Sequence, residues 1–432
     1  MAASAETYPM KAGTGPSSYA HNSNLQACVS LFLISSASTP VRTAAEKLRG
    51  IITAAIVENL DMSHLSPPSN QYCIADLGCS TGPNTFFTVN AIMEATKHRC
   101  DQENADDHLP EFLVFFNDHV SNDFNTLFVS LPTDGKYSAA GVPGSFHRRL
   151  FPKGSINFFN TSYALQWISN TPKELSDLNS PACNKGKITY ADAHNEVVEA
   201  FASQFAKDMD SFLLSDLNSP ACNKGKITYA DAHNEVVEAF ASQFAKDMDS
   251  FLVARAQELV PGGLLSILIP CPPDGMHPSK SPFGLLLEPL ESSFVGMVNE
   301  LDFGSWGANG VPHPLVRAGG QALELQQGRL NKDELDSFNI PLYSPSASEL
   351  RLLVQHNGCF SIARSEEMRH DPLPRISPQS MRAWYEATLS KNFGIEIIDE
   401  VFKRYAEKVE GCSFIRDEEG IACQLFILLK RN

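Results

Sequence analysis

The sequence predicts an α/β fold, a doubly wound and mostly parallel sheet with helices on both faces. Three observations predict it: strand-like runs alternate with helical patterns through the first half, one strand enters a glycine-containing turn and then a helix, and strong strands are absent from about 272 to 390. In order, the strand candidates are QYCIADLG at 71–78, PEFLVFFND at 110–118, SINFFNTS at 155–162 and GLLSILIP at 263–270. Residues Thr85 to His98 carry a helical pattern between the first two. GIEIIDEVFKRY at 394–405 and GIACQLFILLKR at 420–431 add two more strand candidates, while 272–390 is rich in helix formers and proline turns.

The segment Ile74 to Thr85, IADLGCSTGPNT, is the most informative local pattern. Asp76 ends the expected strand, Gly78 and Gly82 allow close approach of a ligand to the backbone, and a helix opening near Asn84 presents unpaired N–H groups. Ser80 stands where the dinucleotide fingerprint GxGxxG needs its second glycine, so that fingerprint is absent. An ordinary βα turn with two structural glycines is the competing reading.

At 432 residues, 43% of them hydrophobic, the chain is long enough for one large core or two domains. A net charge of -16 disfavours nucleic acid or an anionic membrane as partner, because both need a basic face. The apolar run Cys28 to Ile34 is too short to span a bilayer and lacks the flanks of a signal peptide, which makes the cytosol the default location. Ten cysteines without a CxxC pair suggest neither a zinc site nor a disulfide scaffold.

Residues 175–213 recur without a change at 214–252. Two identical copies argue against a solenoid, whose repeats drift in sequence and number three or more. Each copy holds a polar loop and an amphipathic helix, with Phe201, Phe205, Met209 and Phe212 on one face, mirrored by Phe240, Phe244, Met248 and Phe251. The fold needs one of them. The glycine-rich run Leu301 to Gln327 is a second anomaly and reads as a long inserted loop. A recent tandem duplication, or a gene-model or assembly error that counted one segment twice, accounts for the repeat; translated intron sequence or a similar insertion accounts for the run, with a genuine loop as the alternative.

A stretch upstream, MKAGTGPSSYAHNSNLQ from Met10 to Gln26, joins the turn motif to a wider pattern. The pattern continues through FFNDHVSNDFNTLF at 115–128, GVPGSFHRRLFP at 141–152, SYALQW at 162–167, RAQELVPGG at 255–263 and DSFNIPLYSPS at 336–346. Together these blocks resemble the plant SABATH family of methyltransferases, which methylate carboxyl groups of small acids and, in one branch, xanthine nitrogens. The resemblance implies a methyltransferase-type sheet, formed by 40–270 and 391–432, that binds S-adenosylmethionine. The N-terminal 1–39 and residues 271–390 would then form a helical cap over the active site. Without one repeat unit and the 301–327 run, the chain has a length usual for the family.

By the same resemblance Asp76, Gly78, Cys79, Asn84, Asp118, His119, Ser145 and Phe146 hold the cofactor, with Tyr19 and Ser23 on its methionine portion. Asp118 ends a strand, where a carboxylate can accept both hydrogen bonds of a ribose diol. His119 departs from the family, which usually has leucine there, and Phe146 supplies a stacking ring. A solvated loop aspartate and a core aromatic are the plain alternatives for Asp118 and Phe146.

Methyl transfer to a carboxylate needs no general base, because the nucleophile is already ionised at pH 7. It needs alignment and exclusion of water. Gln26 and Trp167 match the family's carboxylate-holding pair, both neutral donors. Lys11 and Tyr163 fall at the same pocket, with Lys11 a candidate for capturing the anion. Gln166 replaces a methionine or histidine and can recognise a ring substituent, while Met381 and Trp384 line the far wall and favour compact aromatic acids of the salicylate, benzoate or anthranilate type. Asn184 or its duplicate Asn223, Asp336, Asn339 and the carbonyl of Phe338 resemble a magnesium site of some relatives; such residues are equally common in turns, and the turn is preferred. A homodimer is the family expectation. The competing functions are N-methylation of a purine, which needs no anion clamp, and a silent ligand-binding protein disabled by the duplication and insertion.

Overall fold

The computed structural model describes residues 10–15, 18–22, 50–60, 71–102, 109–173, 234–274, 276, 280–304, 330, 332–370, 377–411 and 422–432. Among the described residues seven strands form one sheet: β1 Gln71–Leu77, β2 Glu111–Asp118, β3 Ser138–Pro143, β4 Ile156–Ser162, β5 Leu259–Pro270, β6 Phe360–His370 and β7 Ala422–Arg431. Their order is β3-β2-β1-β4-β5-β7-β6. The first five run parallel, whereas β7 pairs antiparallel with both β5 and β6. The order reverses on either side of β1, which leaves a crevice at the carboxyl ends of β1 and β4, where open α/β sheets bind ligands.

The described helices are α1 Tyr19–Asn22, α2 Asn84–Gln102, α3 Phe124–Val129, α4 Asn234–Glu258, α5 Pro282–Gly304, α6 Lys332–Ser337, α7 Ala347–Asn357, α8 Pro378–Phe393 and α9 Ile395–Gly411, with residues 50–59 also helical. Side-chain alternation along the strands sorts the core into two layers. Ala75, Leu77, Leu265, Ile267, Leu425 and Ile427 pack into one layer with α4, α5 and α7 to α9. Tyr72, Ile74, Leu264, Leu268, Phe426 and Leu428 pack into the other with α2 and residues 50–59. Both faces are therefore covered, which is why β5 and β7 read as continuous apolar runs.

Two strand expectations need correction. GIEIIDEVFKRY is helical, the opening part of α9: Ile397, Ile398, Val401, Phe402 and Tyr405 are buried at helical spacing, and Asp399, Glu400 and Lys403 occupy the outer face. The strand beside β7 is β6, FSIARSEEMRH, within the stretch expected to lack strands. It is an edge strand whose Arg351–Glu367 and Arg364–Glu366 pairs lie at the surface, so its sequence carries no apolar run. The short edge strand β3, SAAGVP, escaped notice for the same reason.

The helix that feeds β5 comes from the second copy of the duplication. Phe240, Phe244, Met248 and Phe251 are all buried in the core, and α4 continues unbroken through Arg255 to Glu258. The first copy, and residues 305–327 of the inserted run, lie outside the described residues. Among the described residues no helix is long and apolar enough to cross a membrane. Phe240→Ala should cost about 3–5 kcal/mol. The same change at its duplicate Phe201 should cost less than a quarter of that in paired thermal melts; equal losses would mean that the copies share the core.

Candidate active site

The turn after β1 is held by its neighbour strand. The N–H groups of Gly78 and Cys79 both donate to the Asn117 carbonyl, at 2.9 and 3.0 Å. Gly78 has φ +77°, and a Cβ there would lie 2.3 Å from the Ala164 Cβ, so only glycine lets this loop pass the β4 loop. Ser80 also adopts a positive φ, 51°, held by its N–H to Asp118 Oδ2 at 2.7 Å and by Asn122 Nδ2 on its carbonyl at 3.1 Å.

The Asp118 carboxylate thus organises the end of β2. Its second oxygen accepts from the His119 N–H at 2.7 Å, and each oxygen keeps a lone pair for a further donor. Burial raises the Asp118 carboxyl above its usual range against these two bonds. Burial also lowers His119, against the pull of Asp118, which favours a neutral imidazole. Tyr19 is pushed up by burial and by the charges of Asp118 and Asp76, so its hydroxyl stays a donor.

A cleft opens above these groups, bounded by the β1, β2 and β4 loops, α1 and α8. Ten expected site residues line it: Tyr19, Gly78, Asp118, His119, Ser145, Phe146, Tyr163, Gln166, Trp167 and Trp384. Trp167 is zipped to the segment before α7 by a bridge to Leu342, by Ile168 N–H to the Pro341 carbonyl at 3.0 Å, and by Tyr343 N–H to the Gln166 carbonyl at 2.8 Å. Its ring centroid lies 6.0 Å from that of Tyr385. Asp247 on α4 holds Ser169, two residues further on, accepting from its N–H and Oγ at 2.7 Å each.

Other expected residues stand elsewhere. Asp76 lies beneath the turn, where Oδ1 accepts from Asn160 Nδ2 at 2.6 Å and Oδ2 from Thr85 Oγ1; it ties β1 to β4 and α2 and does not line the cleft. Cys79 is buried in the core and Asn84 opens α2, both behind the lining. Met381 is a core side chain of α8, 1% exposed, and does not line the cleft, although its spacing of three residues puts it on the same helix face as Trp384. Lys11 is spent on Glu386, 2.7 Å away, and does not line the cleft, so a free ammonium for anion capture is not what this chain presents. Tyr163 contributes to the lining while its hydroxyl donates to Gln424 Oε1 at 2.5 Å. Asp336, in the last turn of α6, and Phe338 and Asn339, just after it, are buried outside the lining. Ser23, Gln26, Asn184 and Asn223 lie outside the described residues.

The lining also includes Met10, Ser80, His147, Leu342 and Tyr385, which sequence reasoning missed. The first four lie inside blocks already noticed and Tyr385 follows Trp384, but adjacency does not say which neighbour turns inward. Several features suit a nucleoside-type cofactor: the glycine cradle, the Asp118 oxygens, the Phe146 ring and the Ser80 hydroxyl, buried here without a hydrogen-bond partner.

Asp76 gives this site a pH signature. Burial raises its carboxyl to about 6 from 3.8, against the bonds from Thr85 and Asn160 that lower it. The folded state therefore binds this proton more tightly than the unfolded chain, and stability falls as pH rises from 3.8 through about 6. Melts of the protein and of Asp76→Asn should show the variant gaining relative stability between about pH 4 and 6, with a constant offset above about pH 7; a constant offset across the lower range would place the Asp76 value outside that window.

The sequence profile described as SAM dependent carboxyl methyltransferase matches residues 5–218, 213–302 and 315–432, with breaks near the copy junction and inside the glycine-rich run. Loganic acid O-methyltransferase of Catharanthus roseus is 35% identical, covering 99% of this chain and 95% of that protein. Paraxanthine methyltransferase 2 of Arabidopsis thaliana is 30% identical over 98% of each chain. A solved structure, loganic acid methyltransferase with SAH, superposes with a TM-score of 0.74 at 34% identity, covering 98% of this chain and 99% of that one. The fold, the cleft at the sheet's switch point and these matches establish that the chain belongs to the S-adenosylmethionine-dependent carboxyl methyltransferases of the SABATH family, with S-adenosylmethionine as its cosubstrate.

Proposed function

We propose that this chain converts a small, compact acid of the aromatic type into its methyl ester, with Trp167 orienting the carboxylate. The observation that carries the reading is the wall formed by Trp167, Tyr385 and Trp384 in the cleft that Asp118 also lines, with successive ring centroids 6.0 and 6.4 Å apart. Three large rings, tilted 47° and 77° to one another, give the cleft an aromatic wall that suits an aromatic acid.

The sulfonium cosubstrate supplies an activated methyl group. One carboxylate oxygen forms a bond to that carbon as the carbon–sulfur bond breaks, the electron pair stays on sulfur, and no proton moves. The chain's work is placement: the Asp118 oxygens and Phe146 fix the nucleoside end, and the Trp167 indole N–H, with Gln26, pins the oxygen that does not react. Neutral donors orient the anion while weakening its nucleophilicity less than a free lysine would. The aromatic wall excludes water that would otherwise shield the nucleophile.

Asp336, Phe338 and Asn339 are read as a turn, supported by the Phe338 N–H to Leu335 carbonyl bond at 3.3 Å, and the step proposed here does not call on magnesium. A homodimer rests on the family resemblance, and a cytosolic location on the sequence reading above. Purine N-methylation is the second reading, favoured by the paraxanthine methyltransferase relative.

Methyl-labelled S-adenosylmethionine with salicylic, benzoic, anthranilic, jasmonic and indoleacetic acids and xanthine should place label in a solvent-extractable aromatic ester. Label in xanthine alone would replace the carboxylate reading with the purine one. Trp167→Phe should lower kcat/KM for the acid roughly ten- to hundredfold while KM for S-adenosylmethionine stays within about threefold. Loss confined to cofactor binding would remove Trp167 from the acid.

A further inference from the structure

Two residues beyond Trp167 the chain is held by a buried carboxylate that the step above does not use. Asp247 is 7% exposed and shares the inner face of α4 with the buried Phe244, Met248 and Phe251. Its oxygens accept from the Ser169 N–H and Oγ, and Oδ1 also accepts from Gln243 Nε2, one turn earlier, at 3.0 Å. Gln243 Nε2 reaches Ser169 Oγ as well, at 3.3 Å, which joins the three residues into one network. A carboxylate taken out of water needs its lone pairs filled in this way, and bonds to it are stronger than those to a neutral acceptor.

His147 reaches the same backbone from the loop that carries Phe146. Arg255 holds the carbonyls on either side of it, those of Phe146 and Arg148, and the Arg148 N–H closes a turn onto the Ser145 carbonyl at 3.1 Å. The imidazole lines the cleft and is hydrogen-bonded to the backbone of Asp247 and Trp167. Those bonds raise its pKa, so the backbone groups are accepting carbonyls. Nδ1 is buried with no hydrogen-bond partner, so Nε2 is the nitrogen that faces the carbonyls and carries the proton. Burial lowers the His147 pKa against the Asp247 charge, which favours this neutral form. The Phe146 loop, the Trp167 strip and α4 thus meet at two side chains.

We propose that Asp247 and His147 are positioning residues for methyl transfer, which together fix the backbone of 167–169 and so the direction in which the Trp167 indole N–H points. Both act through Trp167, and the inference rests on the reading that this indole orients the carboxylate. The other ties of the strip, Ile168 to Pro341 and Tyr343 to Gln166, run to the segment before α7 and leave its distance from α4 open. A misplacement of about 1 Å at the reacting atoms costs roughly a hundredfold in rate, so a strip freed on one side slows the reaction with the rest of the site intact.

The test follows kcat and both KM values in Asp247→Asn, His147→Phe and His147→Gln, with Asp208→Asn, the same change in the other copy of the duplication, as control. Asp247→Asn keeps the shape but sets a donor against donors; His147→Phe keeps a ring without its N–H, and His147→Gln restores an N–H. Asp247→Asn and His147→Phe should each lower kcat roughly ten- to hundredfold with KM for S-adenosylmethionine within about threefold, and His147→Gln should recover to within about fivefold of the full chain. Asp208→Asn should change nothing. Unchanged kcat, equal losses in His147→Phe and His147→Gln, or an Asp247→Asn loss matched by Asp208→Asn overturns the inference while leaving carboxyl methylation standing. Should Asp247→Asn not fold, the two His147 variants decide alone. If no acid is methylated, the function reading fails on its own, and fluorine NMR of the chain carrying fluorotryptophan decides the positioning. The Trp167 resonance, assigned by its loss in Trp167→Phe, should shift or broaden in Asp247→Asn and His147→Phe and stay in place in Asp208→Asn; a resonance unmoved in the first two overturns the inference.

Discussion

The buried ion pair between Arg255 and Glu258 is the constraint on which the cofactor end of the cleft depends. Both side chains are 0% exposed, and the Arg255 Nη2 to Glu258 Oε2 distance is 2.6 Å. The pair's remaining hydrogen-bonding capacity is turned outward onto one loop. Arg255 donates to the carbonyls of Phe146 and Arg148 at 2.7 and 2.9 Å, and Glu258 Oε1 accepts from the N–H groups of Leu150 and Phe151. The guanidinium is also packed over the rings of Phe159 and Phe251, at 5.0 and 5.4 Å from their centroids. Burial depresses the Arg255 pKa, and the charge and hydrogen bond of Glu258 oppose that. A loop with few regular backbone partners, carrying the Phe146 ring, is thereby fixed to the last turn of α4.

That arrangement makes α4 the spine of the site. Asp247 on one turn holds Ser169 and so the strip carrying Trp167, and Arg255 two turns later holds Phe146. A helix spacing of 1.5 Å per residue therefore sets the distance between the acid side and the cofactor side. The duplication bears on this directly. Asp208 and Asp247 are identical in context, but only the copy that continues into Arg255 and Glu258 offers both anchors on one rigid helix.

The acid side is built differently, from aromatic surface and neutral donors with its charges neutralised locally. Glu386 accepts both Lys11 and Arg382, and Arg382 also pairs with Asp399, so α8 keeps these cations on its outer side while Trp384 and Tyr385 line the cleft. An anion entering the cleft meets oriented dipoles in a low-dielectric space, where a hydrogen bond is stronger than in water.

Much of this was legible in the sequence because local chemistry imposed it. Alternation of strand and helix periods, the acidic strand end and glycine turn at 76–78, and the blocks shared with the family all survive any packing, and they located the sheet, the family and ten of the lining residues. What depends on a partner distant in the chain was not legible. Whether Lys11 was free depended on Glu386, whether Asp76 faced the ligand depended on Asn160 and Thr85, and whether Met381 lined the cleft depended on how α8 packs. The edge strands β3 and β6 were hidden because a strand with one solvated side need not be apolar, and α9 read as a strand because its paired isoleucines fit either period until burial chose one. The sequence by itself determined fold class, cofactor and family, since these rest on contiguous residues and their periodicity. Only the tertiary structure decided which side chains reach the cleft and which polar atoms there remain unpaired, because orientation and hydrogen-bond satisfaction are properties of residues brought together from far apart.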